Sequence, residues 1–211
     1  CWATLLAIPL ALWVAWLLAR REFWGKALLN AAVHLPLVLP PVVTGYLLLM
    51  AFGRNAPLGR ALDAIGLQLA FHWSGAVLAA IIMGFPLMVR AMRLAIEAVD
   101  PKLEDAAATL GAPRAAVFAR VTLPLILPGV LAGTVMGFAK AMGEFGATIT
   151  FVANIPGQTQ TLPSAIWAAL QIPGGEGQAV AMVLMSSVIA VSAVLLSEVL
   201  ARRVAKRIAG A

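Results

Sequence analysis

Lys140 and Glu144 are the residues best placed to do chemistry in this chain. They are opposite charges four positions apart, inside the apolar stretch AKAMGEFGATITF that spans 139–151. On a helix such residues share a face and can pair. Either charge alone would cost about 2.5–3.5 kcal/mol at the centre of a bilayer. The pair must therefore face a protein interior or a water-filled cavity. Two readings fit: a structural ion pair that fixes packing, or a gate carried by Glu144. In the gate, Gly143 and Gly146 would allow bending or close approach. Thr148 and Thr150 extend the segment with uncharged hydroxyls. Such groups could hydrogen-bond an oxyanion without trapping it, or could simply bond their own backbone.

A second constellation, EDAAATLGAPRAAVFARVTLPLILPG at 104–129, is charged and punctuated where its surroundings are apolar. Asp100-Pro101 suits a helix start, because Asp caps free N–H groups and Pro fits the first turn. Leu103, Ala106, Ala107 and Leu110 then form one stripe, with Lys102, Glu104, Asp105 and Thr109 off it. Gly111 stands where a left-handed residue would end that helix. Ala112-Pro113 restarts a second helix bearing Val117, Phe118 and Val121, which Leu123-Pro124 is expected to close. The loop thus reads as two short helices hinged at a glycine. It could float on headgroups as an amphipathic connector, or seat its small alanines in a protein groove.

Other chemistries lack their residues. His34 and His72 are the only histidines, with no His-Glu-x-x-His and no Gly-x-Ser-x-Gly near them. Ser186 and Ser187 have no base at helical spacing, and the single cysteine, Cys1, cannot form an internal disulfide. No catalytic residue and no metal site is assigned. The chain also lacks a Gly-x-x-x-x-Gly-Lys-Ser/Thr phosphate cradle, so any ATP and Mg must bind on another subunit.

The elements that position these groups are membrane spans. Of 211 residues, 62% are hydrophobic and 11% charged, far below the quarter or so that soluble domains carry. An all-α integral membrane protein follows, read as a single transmembrane domain over 1–211. Five stretches are long enough to cross: Cys1–Ala19, Val33–Phe52, Trp73–Val89, Leu125–Ala153 and Gln178–Ser197. Pro36, Pro40 and Pro41 interrupt the second. Two-residue alternation is absent, against a β-barrel. Cys1 stands inside an apolar run in place of Met, so a trimmed first span is expected, and no further domain is expected beyond Ala211. Trp2, Trp73 and Trp167 read as interfacial anchors, Trp13 and Trp16 as packing.

Basic residues orient the spans. Arg20, Arg21, Lys26, Arg90, Arg93, Lys102, Arg114, Arg120, Arg202, Arg203, Lys206 and Arg207 fall on one side, Arg54 and Arg60 on the other. Twelve against two places the N-terminus outside, the C-terminus in the cytoplasm and the 97–123 loop facing the cytoplasm. The net charge of +6 therefore sets topology. A nucleic-acid surface would need a basic patch with stacking aromatics or a known motif, and neither is present.

Glu104-Asp105-Ala106-Ala107, Gly111 and Leu123-Pro124 together resemble the cytoplasmic "EAA" loop of ABC-importer permeases. The resemblance implies the type I importer permease fold and a coupling helix docked in a cleft of a soluble ATPase. Glu104, Asp105, Ala106, Ala107, Ala108, Leu110 and Gly111 would form that coupling segment. Glu104 would pair with a basic group of the ATPase, and Gly111 would supply the bend. Two cytoplasmic ATPase subunits, a second copy of the chain and an extracytoplasmic binding protein are the implied partners, in the inner membrane of a bacterium.

Gly143-Glu144-Phe145-Gly146-Ala147-Thr148-Ile149-Thr150-Phe151, Asn154-Ile155-Pro156-Gly157, Leu162-Pro163-Ser164-Ala165 and the run from His34 to Val43 resemble molybdate importer permeases. Import of molybdate, or the similar tungstate, by alternating access is the implied function. Lys140, Gly143, Glu144, Gly146, Thr148 and Thr150 are the candidate path or gate. Sulfate and thiosulfate permeases share the Gly-Glu-aromatic-Gly core and form the nearest alternative. An ion-coupled secondary transporter would also explain an intramembrane Lys–Glu pair. A short helix opened by Pro163, near Ser164–Gln171, would lie on the outer face or dip into the cavity mouth.

Overall fold

In the computed structural model, residues 2–208 are described, with side chains described through Arg203. Cys1, where the first span should begin, and Ala211 lie outside the described residues, as do the side chains of Lys206 and Arg207. Among the described residues every regular element is a helix. The helices are α1 (Trp2–Arg20), α2 (Lys26–Val38), α3 (Pro41–Phe52), α4 (Pro57–Asp63), α5 (Trp73–Glu97), α6 (Pro101–Thr109), α7 (Arg114–Val117), α8 (Leu123–Met142), α9 (Gly146–Val152), α10 (Leu162–Leu170) and α11 (Glu176–Ile208). A π-helical turn, Phe118–Thr122, joins α7 to α8.

Among the described residues, four rods are long and apolar enough to cross a membrane: α1, α5, the continuous α7–α8 unit and α11. The second expected span, Val33–Phe52, is two helices, α2 and α3, bent by 118°. The bend follows from Pro40-Pro41. A residue before proline is pushed out of the α region, so Leu39 (φ −73°, ψ 143°) and Pro40 (φ −55°, ψ 136°) are both extended. Pro41 then fits the first turn of α3. Pro36, by contrast, is accommodated inside α2.

Three other boundaries differ from the sequence expectation. The second elbow helix does not close at Leu123-Pro124; it runs on into α8 through the π turn. There Leu123 N–H bonds Phe118 O, one residue wider than an α-turn, which relieves the crowding a proline imposes just downstream. The span Leu125–Ala153 is not one helix, because α8 ends at Met142 and α9 begins at Gly146. The third and fifth spans are longer than their apolar cores. Helix α5 continues through Arg93, whose Nε donates to Glu97 Oε1 at 2.7 Å, until Asp100-Pro101 begins α6. Helix α4 had no counterpart in the reading of the sequence.

Helix α5 is the centre of the bundle. One face packs with α1 and α8: Ala11, Ala15 and Leu18 meet Met88, Met92, Ile96 and Ile126, all buried. The other face packs with α3 and α9, where Ala79 and Met83 meet Leu48, Ala147 and Phe151. Small residues let the backbones approach, as membrane packing requires where lipid offers apolar side chains no advantage to leave. Helices α5 and α8 cross closely at Gly84 and Gly137. Helix α11 packs on α8 and α10 and leaves Leu184, Met185 and Val188 exposed along its length.

Candidate functional site

The elbow forms as its local signals dictate. Asp100 accepts the Lys102 N–H at 2.9 Å and caps α6, Pro101 occupies the first turn, and Gly111 adopts φ +84°. L-residues are strained by about 1–2 kcal/mol in that region. Pro113 then starts α7. Leu103 and Leu110 are 49% and 90% exposed. Asp105, Ala106 and Ala108 are exposed as well, and Ala107 is half-buried. The apolar stripe of α6 is therefore not absorbed by the chain's own core.

Glu104 points the other way. Its Oε1 accepts from Arg20 Nη2 at 3.3 Å and from Thr122 Oγ1 at 2.6 Å. The residue that the family resemblance turns toward an ATPase is engaged inside this chain, between the end of α1 and the π turn. Neither Arg20 nor Thr122 was singled out by sequence reading. Arg20 counted only as a topological charge, and a threonine 18 positions from its acceptor leaves no local trace.

The second cluster lies at the break between α8 and α9. Lys140 and Glu144 do pair, Nζ to Oε2 at 3.0 Å, with Glu144 only 1% and Lys140 30% exposed. The expectation that both share one helical face needs correction: Glu144 lies beyond the end of α8. Its other oxygen, Oε1, accepts the Ala147 N–H at 2.9 Å and so caps α9. One carboxylate thus ties to a side chain in the last turn of α8 and caps the start of α9. Gly143 takes φ −87°, which any residue tolerates, so nothing in the bend demands glycine there. Gly146 is different, since a Cβ there would stand 2.8 Å from Pro41 Cβ.

The threonine hydroxyls are turned to the backbone. Thr148 Oγ1 donates to Phe145 O at 2.9 Å, within reach of Glu144 O at 3.2 Å, and Thr150 Oγ1 donates to Gly146 O at 2.8 Å. Their lone pairs can accept but their protons are committed. Beyond α9, α10 opens at Thr161 and Ser164, which cap each other reciprocally. It packs back on the break, with Phe145 and Trp167 ring centroids 6.0 Å apart and Asn154 Nδ2 donating to Ser164 O at 3.4 Å.

The histidines stay apart. His34 contacts Asn30 O on α2 and His72 contacts Ser74 Oγ at the start of α5, each at 2.8 Å. Among the described residues, no three His, Cys, Asp or Glu side chains gather as a metal site would need.

Compared with known proteins, residues 7–206 match the family described as binding-protein-dependent transport system inner membrane component. The chain is 57% identical over 201 residues to the molybdenum transport system permease protein ModB of Escherichia coli (strain K12), covering 95% of this chain and 88% of that protein. It is 35% identical over 206 residues to the sulfate transport system permease protein CysW of Synechocystis sp. (strain PCC 6803 / Kazusa), covering 94% and 73%. In fold it is similar to a chain of a bacterial alginate ABC transporter crystallised with an alginate pentasaccharide-bound periplasmic protein, with TM-score 0.74, 19% identity, and 97% and 75% coverage. A helical bundle with a capped, glycine-hinged elbow, matched over nearly its whole length, makes this chain a multi-pass inner-membrane permease of the binding-protein-dependent transport system family.

Proposed function

We propose that this chain is the translocation subunit of an importer that carries molybdate, and the similar tungstate, into the cytoplasm by alternating access. The single observation that supports the substrate is 57% identity, over 95% of the chain, to a permease named for molybdenum transport. The exposed stripe of α6, held on a capped and glycine-terminated helix, supports the mode of drive. A rigid helix seated in a closing cleft transmits a rigid-body displacement, whereas a slack loop would not. ATP and Mg belong to two cytoplasmic ATPase subunits. Two copies of the chain form the path, and an extracytoplasmic binding protein delivers the oxyanion.

Reconstitution with the cognate ATPase and binding protein tests this reading. Molybdate uptake should require ATP, with tungstate competing and sulfate competing weakly. Uptake driven by an ion gradient without ATP would instead support a secondary transporter. Sulfate competing as well as molybdate would move the substrate toward the second reading, which the 35% identity to a sulfate permease favours less.

A further inference from the structure

Helix α6 has no fully buried residue, so apolar packing holds it to the bundle only weakly. The firmer hold is polar. Arg20, the last residue of α1, donates through Nη2 to Val99 O at 3.2 Å and to Glu104 Oε1 at 3.3 Å. Thr122, in the π turn leading into α8, donates to the same Oε1 at 2.6 Å. Thr122 is 2% exposed and the Arg20 Nε is buried, while the Arg20 and Glu104 side chains keep 18% and 26% exposure, so the joint is part-buried with its threonine on the inner side. Arg20 and Glu104 are 84 positions apart, which makes this a bond between distant segments.

We infer that Arg20 and Thr122 are positioning residues, clasping the α6 elbow through Glu104 to α1 and α8 together. Tethered only by its backbone, α6 would swing on the Val99-Asp100 turn and on Gly111, and a push on it would be absorbed there. Clasped, it delivers a displacement to two spanning helices at once. Charge-assisted hydrogen bonds are the strong and geometrically demanding ones, which suits a joint that must not slip. The inference rests on the permease reading for its consequence in transport, though not for its geometry.

Two measurements test it separately. The first uses the full chain in detergent, with Cys1→Ser and a nitroxide at Ala108→Cys. Thr122→Val or Arg20→Gln should mobilise the label, and Thr122→Ser should restore the wild-type spectrum. An immobile label in both variants would overturn the clasp, whatever the protein transports. The second uses the complex with ATPase and binding protein. Thr122→Val should lower molybdate taken up per ATP hydrolysed by about tenfold, as expected when a hydrogen bond to a charged group is lost. Thr122→Ser should recover it to within about twofold. Because Thr122 is buried in its own chain, it is shielded from the ATPase. Thr122→Val and Glu104→Gln share one oxygen, so their effects should be non-additive. Effects that multiply, or an unchanged ratio in Thr122→Val, would overturn the role in coupling. Wild-type complex that hydrolyses ATP without moving molybdate would count against the permease reading instead.

Discussion

Gly146 sits directly against Pro41: a Cβ at position 146 would stand 2.8 Å from the Pro41 Cβ and 3.2 Å from the Val42 nitrogen. The two residues open α9 and α3, the second halves of the two interrupted spans. The breaks therefore meet. Discontinuous helices in transporters leave polar backbone at the level of a path, and here two such breaks are braced on one another. Gly146→Val should destabilise the fold by about 1–3 kcal/mol, the usual cost of overpacking. Gly146→Ala should cost less, and both should depress uptake. Melting in detergent and uptake in vesicles would check the order; a valine variant as stable as wild type would mean that α3 and α9 yield at no cost.

Glu144 does two jobs, and its variants should separate them. Glu144→Gln keeps an acceptor for the Ala147 N–H but loses the pair with Lys140. Lys140 lies in a span and its partner is only 1% exposed, so stranding its charge should cost about 3 kcal/mol. Glu144→Ala strands the Ala147 N–H as well and should cost about 1–3 kcal/mol more. Thermal melting of the two variants should thus rank alanine well below glutamine. Equal damage would show that charge, rather than the cap, dominates at this position.

At Gly111 the backbone itself makes the demand. With φ at +84°, Gly111→Val should strain the turn by about 1–2 kcal/mol and tilt α6 away from its clasp. Insertion and yield should be near normal while uptake falls severalfold. Retained uptake at the wild-type rate would mean that the turn can be rebuilt without consequence.

The basic-residue bias predicts orientation. With Cys1→Ser as background, Lys102→Cys, an exposed position in the first turn of α6, should react with a membrane-impermeant maleimide only in inside-out vesicles. Gln158→Cys, exposed between α9 and α10, should react only in right-side-out cells. The reverse pattern would invert the topology and remove α6 from the ATPase side.

Much of this architecture was legible residue by residue. Hydrocarbon leaves backbone amides no partner but each other, so uncharged runs such as the core of α1 had to be helical. Caps and turns are equally local. Asp100-Pro101, Gly111 and Pro163 each act within a few residues, and each appears where the sequence reading placed it. Pro40-Pro41 announced an interruption for the same reason.

What the order of residues could not decide is direction and long-range partnership. Two prolines break a ladder, but the 118° turn between α2 and α3 depends on what α3 packs against. Gly143 and Gly146 permit a break without requiring one, since glycine is common inside membrane helices. Only the Glu144 cap and the contact with Pro41 distinguish that break from a continuous helix. Glu104 is the clearest case: its helix could be read from local signals, yet its bonds to Arg20 and Thr122 come from segments 84 and 18 positions away. Side-chain pairings of that kind follow from how whole helices stack, and helical periodicity carries no record of them.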